Sequence, residues 1–361
     1  MISEDEMRNI GIAGAGLMGK LLAWQLNRLG HRVTLFDEDK SGQSSAAFAA
    51  AGMLTPFTES TISQDSVLML GIESLALWPE LLNKISPKIN FSQQGSIIVC
   101  HQNDSSELTH FIQHLSHKID HRLIQPLDKN TLQQLEPELN FEQGYHLKLE
   151  GFLDSRQLLQ ALQHHIENTS ITFYLSKVKY VIPHAILTDE QCHNFDFVFD
   201  CRGCGGEQHF PDLRSVRGEI IRVYAPEVII HRMIRLTHPR YPLYIVPAAD
   251  NHYIIGATEI EAEDDSPISV RSCLELLNAA YSIHHGFAEA RIIETRTALR
   301  PTLIDNAPRI VFQDGLVAIN GLYRHGFLIA PVLLQECIKL FLTGIHDHLH
   351  PNLIQEAQYA Y

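Results

Sequence analysis

Three glycines at positions 14, 16 and 19, in the run GAGLMG, constrain this chain more than any other feature. They follow a short apolar strand candidate at 8–13 and precede Leu17, Leu21, Leu22, Leu26 and Leu29, which recur at helical spacing until Gly30 stops them. HRVTLFDED then supplies a second strand ending in Asp37, 23 residues beyond Gly14. Strand, glycine turn, helix and strand within about 30 residues make the βαβ unit of a dinucleotide-binding fold. Gly14 permits the tight turn, Gly16 lets a pyrophosphate approach the backbone, and Gly19 lets helix and strand close up. Asp37 can accept hydrogen bonds from ribose hydroxyls. The motif alone does not distinguish FAD from NAD.

The 361 residues, 45% of them hydrophobic, suffice for two structural units. A net charge of −14 sets the average surface against a phosphate backbone, so no nucleic-acid partner is expected. No uninterrupted apolar run reaches the ~18 residues of a membrane span, and the acidic start MISEDEMRN is unlike a secretory signal. A cytoplasmic location is the resulting expectation. The six scattered cysteines read as reduced thiols, with Cys201 and Cys204 as small residues in a tight turn. The tail IHDHLHP, without acidic or cysteine partners at ligand spacing, reads as exposed and incidental, and no metal site is expected.

Further along, the alanine-rich stretch 44–56 suits close packing against something flat, either a sheet or a flavin ring. From residue 91 short strands alternate with polar helical stretches, and near 151 a helix restarts with Asp154 or Ser155 as its cap. FDFVFDCRGCGG at 195–206 reads as an apolar strand broken by glycines. Strand signals dominate 216–300, including YPLYIVP and HYIIGAT joined by AADN, and predict a mostly antiparallel sheet. An apolar helix is expected over 326–342, stopped by Gly344.

The motifs RGE (217–219), YIVP (244–247), GAT (256–258), ALRP (298–301) and GLYRHGFLIAP (321–331), with AAAGMLTP (49–56) and GFLDSRQLL (151–159), stand in an order and spacing that resembles the glycine oxidase branch of the D-amino-acid oxidase flavoprotein family, associated with thiamine synthesis. The resemblance covers nearly the whole chain. It implies a Rossmann-type α/β domain binding noncovalent FAD (1–85, 151–215 and 298–361) interleaved with an α+β substrate domain built on a mostly antiparallel sheet (86–150 and 216–297). By the same resemblance Arg324 pairs with the substrate carboxylate, Arg300 is a second active-site arginine, and the Tyr244 hydroxyl reaches the same carboxylate. Ser45, Gly52, Met53 and Gly326 join Gly14, Gly16, Gly19 and Asp37 as cofactor-binding positions. The implied reaction is hydride transfer from the α-carbon of glycine, or of sarcosine or D-alanine, to flavin N5. Molecular oxygen is the acceptor, the products are imine or glyoxylate, ammonia and hydrogen peroxide, and the assembly is a homotetramer.

Three places depart from the family pattern. Glu259 follows GAT where the better-known form has methionine, Pro242 stands two before Tyr244 where a histidine is expected, and CRGCGG replaces a small-residue AG pattern, with Arg202 in it having no assigned role. A carboxylate at 259 could face a substrate ammonium or point into solvent with the acidic run EIEAEDD. The competing readings are a D-amino-acid or sarcosine oxidase or dehydrogenase of the same fold, an FAD-dependent tRNA-modification domain, and a flavin-binding protein without catalysis.

Overall fold

Strands that are apolar on both faces belong inside a parallel sheet covered on both sides. Asn9–Ala13, Phe197–Asp200 and Leu316–Asn320 are such strands, buried almost throughout. A computed structural model describes residues 7–61, 63–238, 243–344 and 348–356. These three strands lie together at the centre of a seven-stranded sheet, flanked on one side by Arg32–Asp37 and Thr172–Leu175 and on the other by Arg309–Gln313 and Ile354–Glu356. Pairing is parallel except between Arg309–Gln313 and Leu316–Asn320, and Ile12 stands in register with both Leu35 and Phe199.

Helices Leu17–Arg28, Ser155–Glu167 and Gly326–Thr343 share one core with this sheet. A small sheet of Val178–Ile182, Ala185–Thr188 and Cys192–Asn194 covers the opposite face through Val181 and Ile186. Asp154 is the cap of the second helix, accepting from the N–H groups of Arg156 and Gln157, both at 3.0 Å. Helix Gly326–Thr343 has the length and apolarity of a membrane span, yet 67% of it is buried. It packs on helix Asp65–Asn83, where the Trp78 indole donates to Phe327 O at 3.0 Å.

The second sheet has eight strands, in the order Arg291–Thr302, Arg214–Tyr224, His252–Gly256, Leu243–Pro247, Met233–Leu236, Ser96–Val99, Gln143–Leu147 and Ile124–Asp128. It is antiparallel apart from the Met233–Leu236 and Ser96–Val99 pair, so segments from either side of residue 150 share one sheet. AADN forms the expected hairpin turn, with positive φ at Asp250 and Asn251 as a type I′ turn requires. The expected boundaries at 215/216 and 297/298 fall inside the continuous strands Arg214–Tyr224 and Arg291–Thr302. The interleaved architecture is thus present, and two long strands run through its seams.

The histidine tail corrects the sequence reading. His348 Nδ1 lies 2.8 Å from Glu336 Oε2 with both side chains about 2% exposed, and His350 Nε2 lies 2.9 Å from Glu73 Oε2. Two of the three histidines therefore dock on helices, because Glu336 is a carboxylate buried within an apolar helix and needs a polar partner. His346 lies outside the described residues, as does Pro242. No cluster of three or more metal-ligating side chains occurs among the described residues.

Candidate active site

One cavity of about 620 Å³ runs from the glycine turn to the inner ends of the long strands. Its first half is built by the βαβ unit. Gly14 has φ +94°, and a Cβ there would lie 2.6 Å from Cys201 O, so both conformation and space demand glycine. Gly19 does not line the cavity; a Cβ on it would meet Gly14 O at 1.8 Å, which is the close helix–strand approach expected of it. Gly16 differs, because the nearest atom to an added Cβ is 4.0 Å away and the position faces open cavity. The helix that starts at Leu17 has no side-chain cap at its N-terminus, which leaves donors for an anion. Asp37 is fixed at the end of its strand, accepting from Ala15 N at 2.6 Å and Asp39 N at 2.9 Å.

Ser45, Gly52, Met53 and Gly326 also line the cavity, together with five alanines between Ala46 and Ala51. Gly52 is pressed against Leu153 O, 2.0 Å from an added Cβ, and the Ser45 hydroxyl donates to Gly42 O at 2.7 Å. Gly326 opens an 18-residue helix that likewise has no side-chain cap, so its first N–H groups meet the cavity beside Arg324. Open space at Gly16, two uncapped helix N-termini and an acidic strand end together fit an elongated dinucleotide. Arg202 forks onto the buried Asp200 at 2.9 and 2.7 Å, which gives that arginine a structural role at the cavity wall. Cys201 and Cys204 occupy the turn read from the sequence, and burial raises the pKa of both thiols.

Tyr244, Arg300 and Arg324 line the other half of the same cavity. Arg300 lies diagonally across Gly218 on the neighbouring strand and donates to Thr258 O from both Nη atoms at 3.1 Å. The Tyr244 hydroxyl is buried; desolvation raises its pKa, against the opposing pull of Arg300 and Arg324. Arg324 is gripped from two sides. Glu59 faces Nε at 2.8 Å and Nη2 at 3.3 Å, and Glu259 Oε2 lies 2.7 Å from Nη1. Neighbouring Tyr323, at φ +48°, directs its hydroxyl to the Glu259 carboxylate.

A layer of buried charge stands behind Arg324 and was not legible from the sequence. Burial works to raise the Glu59 pKa, but the Arg324 guanidinium, helped by Arg235 and Arg300, brings it below the ordinary value. His325 is buried, with no hydrogen bond to either ring nitrogen, and desolvation lowers its pKa to about 4, so it is neutral. Arg235 sits over the Phe111 ring, its centre 5.2 Å away. Glu150 accepts from Thr58 N and Oγ1, both at 2.7 Å, and from the Ser96 hydroxyl, while desolvation raises its pKa to about 7. The RGE motif acts elsewhere: Arg217 pairs with buried Glu219 at 2.6 Å and donates to Asp264 O and Pro267 O, tying down the acidic segment that follows Glu259.

Residues 9–335 match the family model described as DAO, FAD dependent oxidoreductase. The chain is 37% identical over 334 residues to the putative thiamine biosynthesis oxidoreductase ThiO of Rhizobium etli, covering 92% of this chain and 96% of that one. Among solved structures, glycine oxidase from Geobacillus kaustophilus superposes with a TM-score of 0.81 at 23% identity, covering 92% and 94% of the two chains. Iminodiacetate oxidase from Chelativorans sp. BNC1 superposes with a TM-score of 0.84 at 20% identity, covering 97% and 100%.

Proposed function

The chain belongs to the FAD-dependent oxidoreductase (DAO) family, and from that premise we propose that it oxidises glycine or a comparably small amino acid at the α-carbon. One observation carries the reading: a buried guanidinium, Arg324, stands in the cavity beside Arg300, Tyr244 and the N-terminus of helix Gly326–Thr343. FAD, when bound, supplies N5 as the hydride acceptor. Gly14, Gly16 and the first turn of helix Leu17–Arg28 hold its pyrophosphate, and Asp37 its ribose. Ser45, Gly52, Met53 and Gly326 shape the wall against its ring system.

Arg324 takes the substrate carboxylate, and a planar fork fixes its orientation as well as its charge. Arg300 and the Tyr244 hydroxyl add donors to the same group. The amine would react in its neutral form, its ammonium proton having passed to solvent, so no side chain is required as a base, and positioning is the protein's main contribution. The uncapped N–H groups at Gly326 and Phe327 would favour negative charge placed near the start of that helix. The two electrons would pass to molecular oxygen as hydrogen peroxide, and the imine product would hydrolyse to glyoxylate and ammonia or pass to thiazole assembly for thiamine. The thiamine-biosynthesis name of the Rhizobium relative supports that last step.

We assign residues 1–85, 151–215 and 298–361 to an FAD-binding domain, which also brings Arg300 and Arg324 to the substrate, and 86–150 and 216–297 to a substrate domain, in a homotetramer that light scattering would test. Six free cysteines agree with a cytoplasmic location. Release of flavin on acid precipitation would bear out noncovalent attachment. The deciding experiment is an anaerobic absorbance titration with glycine, sarcosine and D-alanine, followed by oxygen and a peroxide assay. Glycine is expected to bleach the flavin and oxygen to restore it with peroxide, while Arg324→Ala abolishes bleaching. If none of the three amines reduces the flavin, the substrate assignment fails.

A further inference from the structure

Arg324 is already engaged before any substrate arrives, and its two carboxylate partners are unlike. Glu59 is buried behind the guanidinium, with its side chain 4% exposed, in the short helix Pro56–Glu59. Glu259 is 45% exposed and belongs to a segment whose only described strand-like pairing is the bridge between Arg217 and Ile260. Glu259 touches Nη1 with a carboxylate that borders solvent and could swing into it, whereas Glu59 grips Nε and Nη2 from a buried position.

The charges around the cavity decide what that movement selects. Two carboxylates, Glu59 and Glu259, contact Arg324, with Arg300 and Arg235 as further cations around Glu59, so the charge of the Arg324 guanidinium itself is already matched by protein groups. A bare carboxylate adds an unmatched negative charge and must also displace Glu259 from its guanidinium. An amino acid brings an ammonium with its carboxylate, and Glu259, the partly exposed member of the group, is placed to turn towards it. A second carboxylate on the ligand again adds negative charge, to a cavity whose lining already includes Asp265.

From this arrangement we infer that Glu259 determines substrate charge: it holds the carboxylate place on Arg324 in the empty site, yields it to an incoming amino acid, pairs with the ammonium, and discriminates against dicarboxylates and ligands without nitrogen. The inference rests on the proposed reading of Arg324 as the substrate-carboxylate site, and it names the class admitted there, small zwitterions with one carboxylate. Tyr323 supports the role, since its hydroxyl also hydrogen-bonds the Glu259 carboxylate.

The test uses the flavin-loaded enzyme and Glu259→Gln, which keeps size and an accepting oxygen but removes the charge. Acetate binding is read from the perturbed flavin spectrum, and kcat and KM are measured for glycine and iminodiacetate. The variant is expected to bind acetate about tenfold more tightly, the effect of removing one partly exposed charge near a ligand. The ratio of kcat/KM for iminodiacetate to that for glycine rises by about the same factor, and the glycine KM rises rather than falls. Equal changes for acetate and glycine, or no change in either, overturn the inference. So does an effect that appears in Glu259→Ala and is absent from Glu259→Gln, because shape rather than charge would then be acting. If wild-type enzyme is not reduced by glycine, the proposed substrate fails, and the acetate comparison still decides the role of Glu259.

Discussion

Gly218→Ala is expected to damage turnover while sparing the fold. A Cβ at Gly218 would lie 2.2 Å from Arg300 Nη2 and 2.3 Å from its Cζ, where ordinary contact begins at 3.4 Å. The guanidinium must therefore retreat by more than an ångström, and both of its 3.1 Å hydrogen bonds to Thr258 O are lost. A hydrogen bond from a charged donor is worth ~1.5–3 kcal/mol, so displacing this donor lowers kcat/KM for glycine by roughly 10- to 100-fold. The backbone is not in the left-handed region at Gly218, and the crowded group is the end of a flexible side chain. Restricting the unfolded chain returns ~0.4–1 kcal/mol, so Tm and flavin content stay close to wild type. Thermal melts, bound-flavin absorbance and steady-state kinetics measured side by side test the claim. Wild-type kcat/KM, or a loss of activity matched by loss of flavin and Tm, would refute the reasoning that Gly218 exists to seat Arg300.

The two glycines of the turn should separate in the same assays: Gly16→Ala lowers flavin affinity with little change in apoprotein Tm, whereas Gly19→Ala, whose Cβ would meet Gly14 O at 1.8 Å, destabilises the fold itself. Arg324→Lys keeps the charge but loses the planar fork shared with Glu59, and is expected to raise the glycine KM by roughly 10-fold or more while flavin content stays unchanged. Stability against pH carries two opposed contributions. His325, lowered from 6.5 to about 4, adds stability above pH 6.5 that is lost as pH falls towards 4; Glu150, raised from 4.5 to about 7, adds stability below pH 4.5 that is lost as pH rises through 7. Glu150→Gln removes the second contribution, so its Tm should climb more steeply than wild type between pH 4.5 and 6.5; parallel curves would sink this account.

The cofactor half was legible because its signals are local. Turn chemistry at Gly14, Gly16 and Gly19 and the strand ending in Asp37 lie within 24 consecutive residues, where period and spacing speak directly. The substrate half was legible only through whole motifs, since nothing in a lone ALRP or YIVP tells a ligand-binding side chain from a surface ion pair. The layer behind Arg324 could not be read at all. Glu59 and Arg324 are 265 residues apart, and a single sequence carries no trace of that pairing. A usable clue was present at Glu336, a carboxylate in the middle of the apolar run 326–343, which had to find a partner once the helix was buried. His348 is that partner, twelve residues further on, and reading the tail by itself concealed the pair.

Buried ion pairs are poor devices for stabilising a fold, because desolvation consumes most of what the Coulomb attraction supplies. Arg235, Glu59, Glu150 and Arg324 are nonetheless gathered beside one another, and apolar side chains of similar volume would fold at least as well there. What apolar groups could not supply is a guanidinium held at one angle for a ligand. Glu59 fixes the inner edge of Arg324, and the donors from Thr58 and Ser96 keep Glu150 satisfied, whichever its protonation state, close to Arg235. Arg324 is thereby left with one buried partner on the protein side, Glu59, and one partly exposed partner, Glu259, on the solvent side. That asymmetry is a requirement of binding rather than of folding: a fork clamped by two immobile carboxylates would turn away an anion, and a fork clamped by none would turn with it.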